Sequence, residues 1–241
     1  MGDFLYNLVS RTLDLFYWGG DLIGEENLPA RGPAVIVSNH LGPAGPIGVI
    51  CSLPLRMYPW IISKMIDPEE AVDYICKDFV EKTLKMKPPL SQKFARQLCK
   101  ITVPLLTEIG CLPVYRKSEK LKITWQKSLA LLKEEKYIFI TPEYDKGKPD
   151  PETKMCSFMI GFAQLGAIYH QATKKVLHFY PVAVHESRRV MVGKPIGYDP
   201  LNPGDKEMKR VAGMLEESIK KMYLQMANQY VTEAMPAWHN R

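Results

Sequence analysis

The chain has 241 residues and a mass of 27.5 kDa, with 46% hydrophobic and 24% charged side chains. This composition is typical of a globular protein with one large or two small domains, and it excludes a disordered or collagen-like chain. The net charge of +6 is too small to indicate nucleic-acid binding, but it fits attraction to an anionic membrane surface or to a phosphorylated substrate.

The first predicted element is an amphipathic helix over residues 3–18. Its polar residues recur at helical spacing, and its apolar side is wide and rich in aromatic residues, ending in Tyr17 and Trp18. Two interpretations stay open: a terminal helix that packs on its own core, and a helix that rests in the headgroup layer of a membrane, where aromatic rings with polar tips are favoured.

The rest of the chain alternates between strand-like and helix-like segments. Apolar, β-branched runs predict the strands, and 3.6-residue periodicity predicts the helices. The predicted strands span 34–38, 58–63, 111–115, 137–140, 178–184 and 189–192, and the predicted helices span 67–100 (broken at 88–89), 119–135, 155–169 and 205–230. We therefore expect an α/β fold: a single layered domain with a central, mostly parallel mixed sheet flanked by helices.

Two features bear on cellular location. The stretch 41–62 is apolar, but four prolines and Arg56 argue against a transmembrane helix, and no secretory signal is evident at the start.

The five cysteines are odd in number and no pair is spaced C-x-x-C, which favours reduced thiols in a cytoplasmic protein over disulfides or a zinc site. The spacing of the histidines matches no standard metal-ligand pattern. The sequence has neither the glycine motif of dinucleotide-binding proteins nor a phosphate-loop motif.

Candidate chemistry lies where predicted strands end, since ligands of open α/β sheets bind at the carboxyl ends of strands. His40 follows the strand 34–38, and its near-neutral pKa suits a general base. Arg116 follows a second strand and could hold a phosphate bidentately. The loop 141–148, with two acids and two lysines, follows a third. Each of these alone also has a purely structural interpretation. His40 could cap its strand, Arg116 could be an ordinary surface arginine, and 141–148 could be a solvated loop.

Together these segments resemble the glycerolipid acyltransferase family, of which 1-acyl-glycerol-3-phosphate acyltransferase is the bacterial type member. The resemblance covers nearly the whole chain. The segments that carry it are Gly24–Pro29, Gly32–His40, Gly110–Arg116, Pro142-Glu143, Tyr180–Val184 and Gly193–Ile196.

The resemblance implies a role for each matching residue. His40 would deprotonate a hydroxyl of the acceptor, which then attacks an acyl thioester. Residues expected to bind or position the substrate are Asn39, Arg116 (on the acceptor's phosphate), Pro142, Glu143, Pro181 and Val182. Lys146 is expected to do so as well, as a point charge in place of an arginine that the chain lacks. The acyl donor would be acyl-CoA or acyl-carrier protein, with no metal or other cofactor and no nucleic acid.

Two positions depart from the family's pattern. The family has an aspartate five residues after the histidine, where this chain has Gly45, and loss of such an orienting acid from a serine protease triad costs about 10⁴ in rate. The third block lacks the family's glycine and arginine: Tyr144 follows Glu143, and a lysine could replace the arginine only as a point charge.

Three alternatives follow. Another carboxylate, Asp145 or Glu143, replaces the missing acid; His40 acts without a partner and the enzyme is slow; or the protein binds lipid or acts as a scaffold without turnover. We expect residues 1–241 to form one acyltransferase-like domain, with 1–20 as a membrane-interfacial helix and 21–241 as the catalytic-type core, peripheral on the cytoplasmic face of the membrane and acting in phospholipid synthesis.

Overall fold

The computed structural model describes residues 2–42, 44–115, 118–144, 147–202 and 204–234, with only the backbone described for 118, 119 and 230–234. The helices are α1 (Gly2–Leu13), α2 (Ala44–Ser52), α3 (Ala71–Ile75), α4 (Leu90–Glu108), α5 (Ser118–Lys133), α6 (Gln164–Thr173) and α7 (Gly204–Ala234). The strands are β1 (Asp21–Ile23), β2 (Ala34–Ser38), β3 (Met57–Ile62), β4 (Leu112–Val114), β5 (Tyr137–Ile140), β6 (His178–His185), β7 (Arg189–Val192) and β8 (Ile196–Gly197).

The contacts divide the chain into two compact units. One comprises Met1–Asn7 and Tyr58–Ser128, and the other comprises Leu8–Met57 and Leu129–Arg241. The prediction that 1–241 form one acyltransferase-like domain stays a prediction.

The larger unit is built on a mixed sheet with the order β1-β7-β6-β2-β5, and β8 also pairs with β6. The pairs β1–β7, β2–β5 and β2–β6 are parallel, whereas β6–β7 and β6–β8 are antiparallel. The predicted α/β class, with a mostly parallel mixed sheet, is confirmed. β2 lies at the centre of this sheet, and all five of its residues are buried.

Successive strand residues point to opposite sides of this sheet, so both of its faces carry apolar side chains. Helices cover both faces. On one face, Ile36, Phe139 and Val182 pack with Val49 and Leu53 of α2 in one apolar cluster. On the other face, the ring of Phe179 meets Phe162 at 6.0 Å between centroids, and His185 of β6 meets Tyr223 of α7 at 4.7 Å.

The smaller unit has a core of its own. β3 and β4 run parallel, with Trp60 opposite Leu112. α4 packs its buried positions Ser91, Ala95 and Cys99, spaced four residues apart, onto α3 and the π-helical turn Cys76–Glu81. The indoles of Trp60 and Trp125 lie edge to face at 5.4 Å.

The N-terminal helix has features of both interpretations. After α1 the chain continues as a π-helical turn, Asp14–Trp18. Trp18 is buried, and its indole N–H donates to Ser52 Oγ at 2.8 Å, whereas Leu15 and Phe16 are exposed. Gly48 of α2 makes room for the indole, since a Cβ there would lie 2.7 Å from the ring. No helix within the described ranges is long and apolar enough to cross a membrane.

One predicted helix was wrong over its first half. Residues 155–159 are extended, residues 160–163 form a 3-10 turn, and only Gln164–Thr173 is α-helical. The reason is a tertiary pairing: Tyr144 N–H donates to Ser157 O at 2.9 Å and Met159 N–H donates to Pro142 O at 2.8 Å. This pairing overrides the apolar character that suggested a helix. β1 and β8, three and two residues long, were not predicted.

Candidate active site

His40 lies just beyond the carboxyl end of the central strand β2, and it is exposed. β2 runs parallel to β5 and β6, with Val37 opposite Ile140 and Ser38 opposite Val182. The carboxyl ends of these three strands therefore meet at one edge of the sheet, as the sequence predicts for a ligand site of an α/β fold.

Asn39, the residue before His40, is fastened to β6. Its side-chain N–H donates to Val184 O at 2.9 Å, its side-chain oxygen accepts from Val184 N–H at 2.8 Å, and only 1% of the residue is exposed. The amide thus satisfies two buried main-chain groups that would otherwise lack partners. Its structural role is to fix the point at which the His40 loop leaves the sheet, and its contact with substrate stays a prediction.

Glu143 joins the loops that follow β2 and β5. One carboxylate oxygen accepts from the main-chain N–H of His40 at 2.6 Å, and the other accepts from the main-chain N–H of Cys156 at 2.8 Å. Hydrogen bonds to an ionised acceptor are short and about twice as strong as neutral ones. The structure therefore brings His40 and Glu143 together, and it gives Glu143 the role of positioning the backbone of His40.

The segment 155–159 supports this loop and is in turn held by α7. Glu143 and Phe158 form an antiparallel bridge. The main-chain N–H of Phe158 donates to the Glu216 carboxylate of α7 at 2.9 Å, and Lys220 binds the other oxygen of Glu216 at 2.8 Å. Sequence reasoning missed Cys156 and Glu216. A helical interpretation of 155–169 hides the pairing that brings Cys156 to Glu143 and Phe158 to Glu216.

Gly45, at the position where the resemblance expects an aspartate, is buried in the first turn of α2. A Cβ at this position would lie 2.0 Å from the carbonyl oxygen of His40 and 3.0 Å from that of Asn39. Real Cβ atoms do not approach backbone so closely. The local backbone therefore excludes any side chain here, so Gly45 differs from an aspartate in backbone packing as well as in chemistry.

The three apolar residues of the predicted site are built into the fold. Pro142 is buried, and its carbonyl accepts the bond from Met159. Pro181 and Val182 are adjacent in β6 and point to opposite faces of the sheet. Val182 lies in the cluster around α2, whereas Pro181 lies beside Gly193, whose N–H donates to Pro181 O at 2.8 Å. Their contact with substrate stays a prediction.

The remaining predicted residues, Arg116, Asp145 and Lys146, lie outside the described residues. Within the described ranges, no group of three or more His, Cys, Asp or Glu side chains is arranged to hold a metal ion. All five cysteines are free thiols, and burial raises the pKa of Cys51 to about 12.

A second polar cluster lies where β6 ends. Burial opposes ionisation of Glu186, but hydrogen bonds from Lys154 and the Tyr223 hydroxyl outweigh it and set the pKa of Glu186 to about 2. Burial lowers the pKa of His185, whose Nδ1 accepts from the main-chain N–H of Ser187 at 3.1 Å. Burial thus disfavours the charged form of His185, whereas Glu186, 3.6 Å from its Nε2, favours that form.

Comparison with solved structures identifies the fold. No family model matches the chain, and no curated protein matches its sequence. Among solved structures, the 1-acyl-sn-glycerophosphate (LPA) acyltransferase PlsC from Thermotoga maritima superposes with a TM-score of 0.50 and 12% sequence identity. The match covers 92% of this chain and 81% of that one.

The chain has the fold of that acyltransferase. At 12% identity the likeness to PlsC establishes the fold alone. It agrees with the α/β class and the N-terminal helix predicted from the sequence. The activity has to be argued from this chain's own residues.

Proposed function

We propose that the protein transfers a fatty acyl group from a thioester, acyl-CoA or acyl-carrier protein, to a hydroxyl of a lysophospholipid-like acceptor of the lysophosphatidate type. The observation that carries the proposal is the 2.6 Å bond from His40 N–H to Glu143. It unites the two blocks whose residues the acyltransferase resemblance singles out, on a fold shared with an acyltransferase.

The proposed reaction needs one base and no redox change. The imidazole of His40 takes the proton of the acceptor hydroxyl as its oxygen attacks the thioester carbonyl. A carbon–oxygen bond forms, the carbon–sulfur bond breaks, and the proton passes from the imidazolium to the departing thiolate. His40 is thereby restored.

The other predicted residues have supporting roles in this proposal. Arg116 and Lys146 bind the acceptor's phosphate, and Asp145 is a candidate for the acid that orients the imidazole. Glu143 holds the His40 backbone through its carboxylate, and Asn39 anchors the loop. Pro142, Pro181 and Val182 line the site. We place the protein on the inner, cytoplasmic face of the membrane as a peripheral protein of phospholipid synthesis.

A second candidate is a lipid-binding or scaffolding protein of the same fold without turnover. The packing of Gly45 favours it, because the backbone contacts there leave no room for an orienting acid at that position. The lipid-binding form of this candidate takes the same acceptor and differs from the first candidate only in turnover.

The test is acyl transfer by the purified full chain, with radiolabelled acyl-CoA or acyl-carrier protein and a panel of lysophospholipids in detergent micelles. We expect His40→Ala to lower the rate by at least about 100-fold, the usual worth of a general base. The matched control is His178→Ala, which removes an exposed histidine at the start of β6 and should leave the rate unchanged.

Transfer that persists in His40→Ala would refute the proposed mechanism. An unmodified chain that makes no product but binds a lysophospholipid in equilibrium dialysis would establish the second candidate instead.

A further inference from the structure

The net charge of the protein is concentrated in one segment. Residues 82–107 contain six basic side chains and no acidic one, so the rest of the chain has equal numbers of each and the whole excess of +6 resides here. The six are Lys82, Lys85, Lys87, Lys93, Arg96 and Lys100. The segment comprises the turn that leads into α4 and all of α4 except its last residue, Glu108.

All six cations are exposed, and none forms an ion pair with any residue in the described ranges. Arg96 also borders a cavity of about 270 Å³ that contains Glu69, Asp73 and Glu81, so acids lie near one edge of the segment. Within the described ranges, none of the five lysines lines this cavity. Their charge is therefore available to an anion from outside.

Large apolar side chains are exposed among these cations. Leu90 and Ile101 are 61% and 68% exposed, and Leu84 and Phe94 are exposed as well. At 3.6 residues per turn, Leu90, Phe94 and Ile101 fall within an arc of roughly 40° on α4. Lys93, Arg96 and Lys100 occupy the adjacent arc, and the opposite side of the helix packs on the core of the smaller unit. We call Leu84, Leu90, Phe94, Ile101 and the six cations the basic–apolar face.

We infer that the basic–apolar face docks on an anionic phospholipid surface, with the apolar residues entering the headgroup boundary and the lysines meeting the phosphates. Apolar area and attraction to anionic lipid together set the binding strength of such faces. Each lysine or arginine near an anionic surface contributes about 1 kcal/mol.

The composition of the face favours a membrane over a protein partner. Protein interfaces are enriched in arginine and depleted in lysine, whereas five of the six cations here are lysines. Long, flexible lysines suit the diffuse charge of a lipid surface. The inference deepens the proposed function by assigning its membrane contact to a particular helix, and its test requires no catalysis, so the two can fail separately.

The experiment measures sedimentation of the full chain with vesicles of phosphatidylcholine alone or of equal parts phosphatidylcholine and phosphatidylglycerol. The charge variant is Lys93→Glu/Lys100→Glu and the apolar variant is Phe94→Ser/Ile101→Ser. The matched control, Lys206→Glu/Lys209→Glu, makes the same change in net charge on two exposed lysines of α7.

We expect the unmodified chain to bind the anionic vesicles, to bind less as salt rises, and to bind phosphatidylcholine weakly. Lys93→Glu/Lys100→Glu should lower the partition coefficient by more than about tenfold, and the apolar variant should lower it too, whereas the control stays within about twofold. Unchanged thermal unfolding in each variant, and unchanged transfer to a micellar acceptor, would show that only docking has been lost.

Equal losses from the two lysine pairs would overturn the inference, since net charge alone would then explain binding. So would an unmodified chain that ignores anionic vesicles but is retained on an immobilised acidic protein, which would make the face a protein interface.

Discussion

At the scale of single residues, each carboxylate oxygen of Glu143 accepts a hydrogen bond from one main-chain donor, the N–H of His40 or the N–H of Cys156. A glutamine would turn one acceptor oxygen into an N–H₂ group that faces a donor. We expect Glu143→Gln to lower the free energy of unfolding by about 1–3 kcal/mol and to lower acyl transfer as the His40 loop loosens.

Denaturant unfolding of Glu143→Gln beside Glu152→Gln, an exposed acid in the following turn, measures this effect. A stability equal to that of the control would show that the carboxylate does not hold the two loops together.

Two glycines in helices offer opposite outcomes for the same substitution. Gly45→Ala would place a methyl group 2.0 Å from the carbonyl oxygen of His40, so we expect a destabilisation of about 1–3 kcal/mol and loss of activity. Gly213 of α7 has open space around it, so Gly213→Ala should stabilise by about 0.5–1 kcal/mol. Thermal unfolding of the two variants measures both effects. An unchanged stability of Gly45→Ala would mean that the backbone at the start of α2 shifts at little cost.

At this scale the sequence could predict which residues lie together at the candidate site, but not the hydrogen bonds that they form. His40, Pro142 and Glu143 could be located because each follows a strand, and strand ends are readable from apolar runs. The amide of Asn39 bonding Val184 and the carboxylate of Glu143 bonding Cys156 could not be predicted, since both partners lie far away in sequence. The contacts of Gly45 depend on the path of the backbone, which no residue type reveals.

At the scale of elements, the π-helical turn Asp14–Trp18 combines an anchor with exposed apolar residues. Trp18 is buried against α2, whereas Phe16 is 81% exposed. We expect Trp18→Ala to cost about 3–5 kcal/mol of unfolding free energy. Phe16→Ala, which removes an aromatic ring from the surface, should stay within about 0.5 kcal/mol.

Urea titrations of Trp18→Ala and Phe16→Ala measure this contrast. Similar losses in the two variants would mean that the turn is not held by its tryptophan.

Elements with a regular pattern were predictable, and elements set by distant pairing were not. The apolar run 34–38 could only be a buried strand, and the periodicity of α7 identified its inward face. Residues 155–159 have helical composition yet lie extended, because Pro142 and Tyr144 offer them main-chain partners. Short edge strands such as β1 carry too few residues for a pattern.

At the scale of the whole molecule, two carboxylates make the free energy of unfolding depend on pH in the acidic range. Glu207 is fully buried. Hydrogen bonds from Arg210 are the main cause that lowers its pKa to about 2, and hydrogen bonds from Asp199 N–H and Asn202 lower it further. Because this pKa lies below the ordinary value of 4.5, ionised Glu207 stabilises the fold above about pH 4.5, and that stability is lost as the pH falls towards 2. Glu186 acts in the same direction.

We expect the free energy of unfolding to fall over this range, with about 3 kcal/mol attributable to Glu207. Glu207→Gln should remove that part of the pH dependence, whereas Glu217→Gln, on the exposed side of α7, should keep it. Unfolding free energies measured at intervals between pH 2 and pH 6 test this, and parallel curves for the two variants would contradict it.

Gly45 also has an evolutionary consequence. A single nucleotide change converts every glycine codon into the codon of an acidic residue, aspartate for two of the four codons and glutamate for the other two, so the genetic code places a carboxylate one step away. The backbone does not, because the carbonyl of His40 occupies the space that the side chain would need. A chain of this structure that acquired an aspartate at position 45 would also need changes elsewhere that open the start of α2.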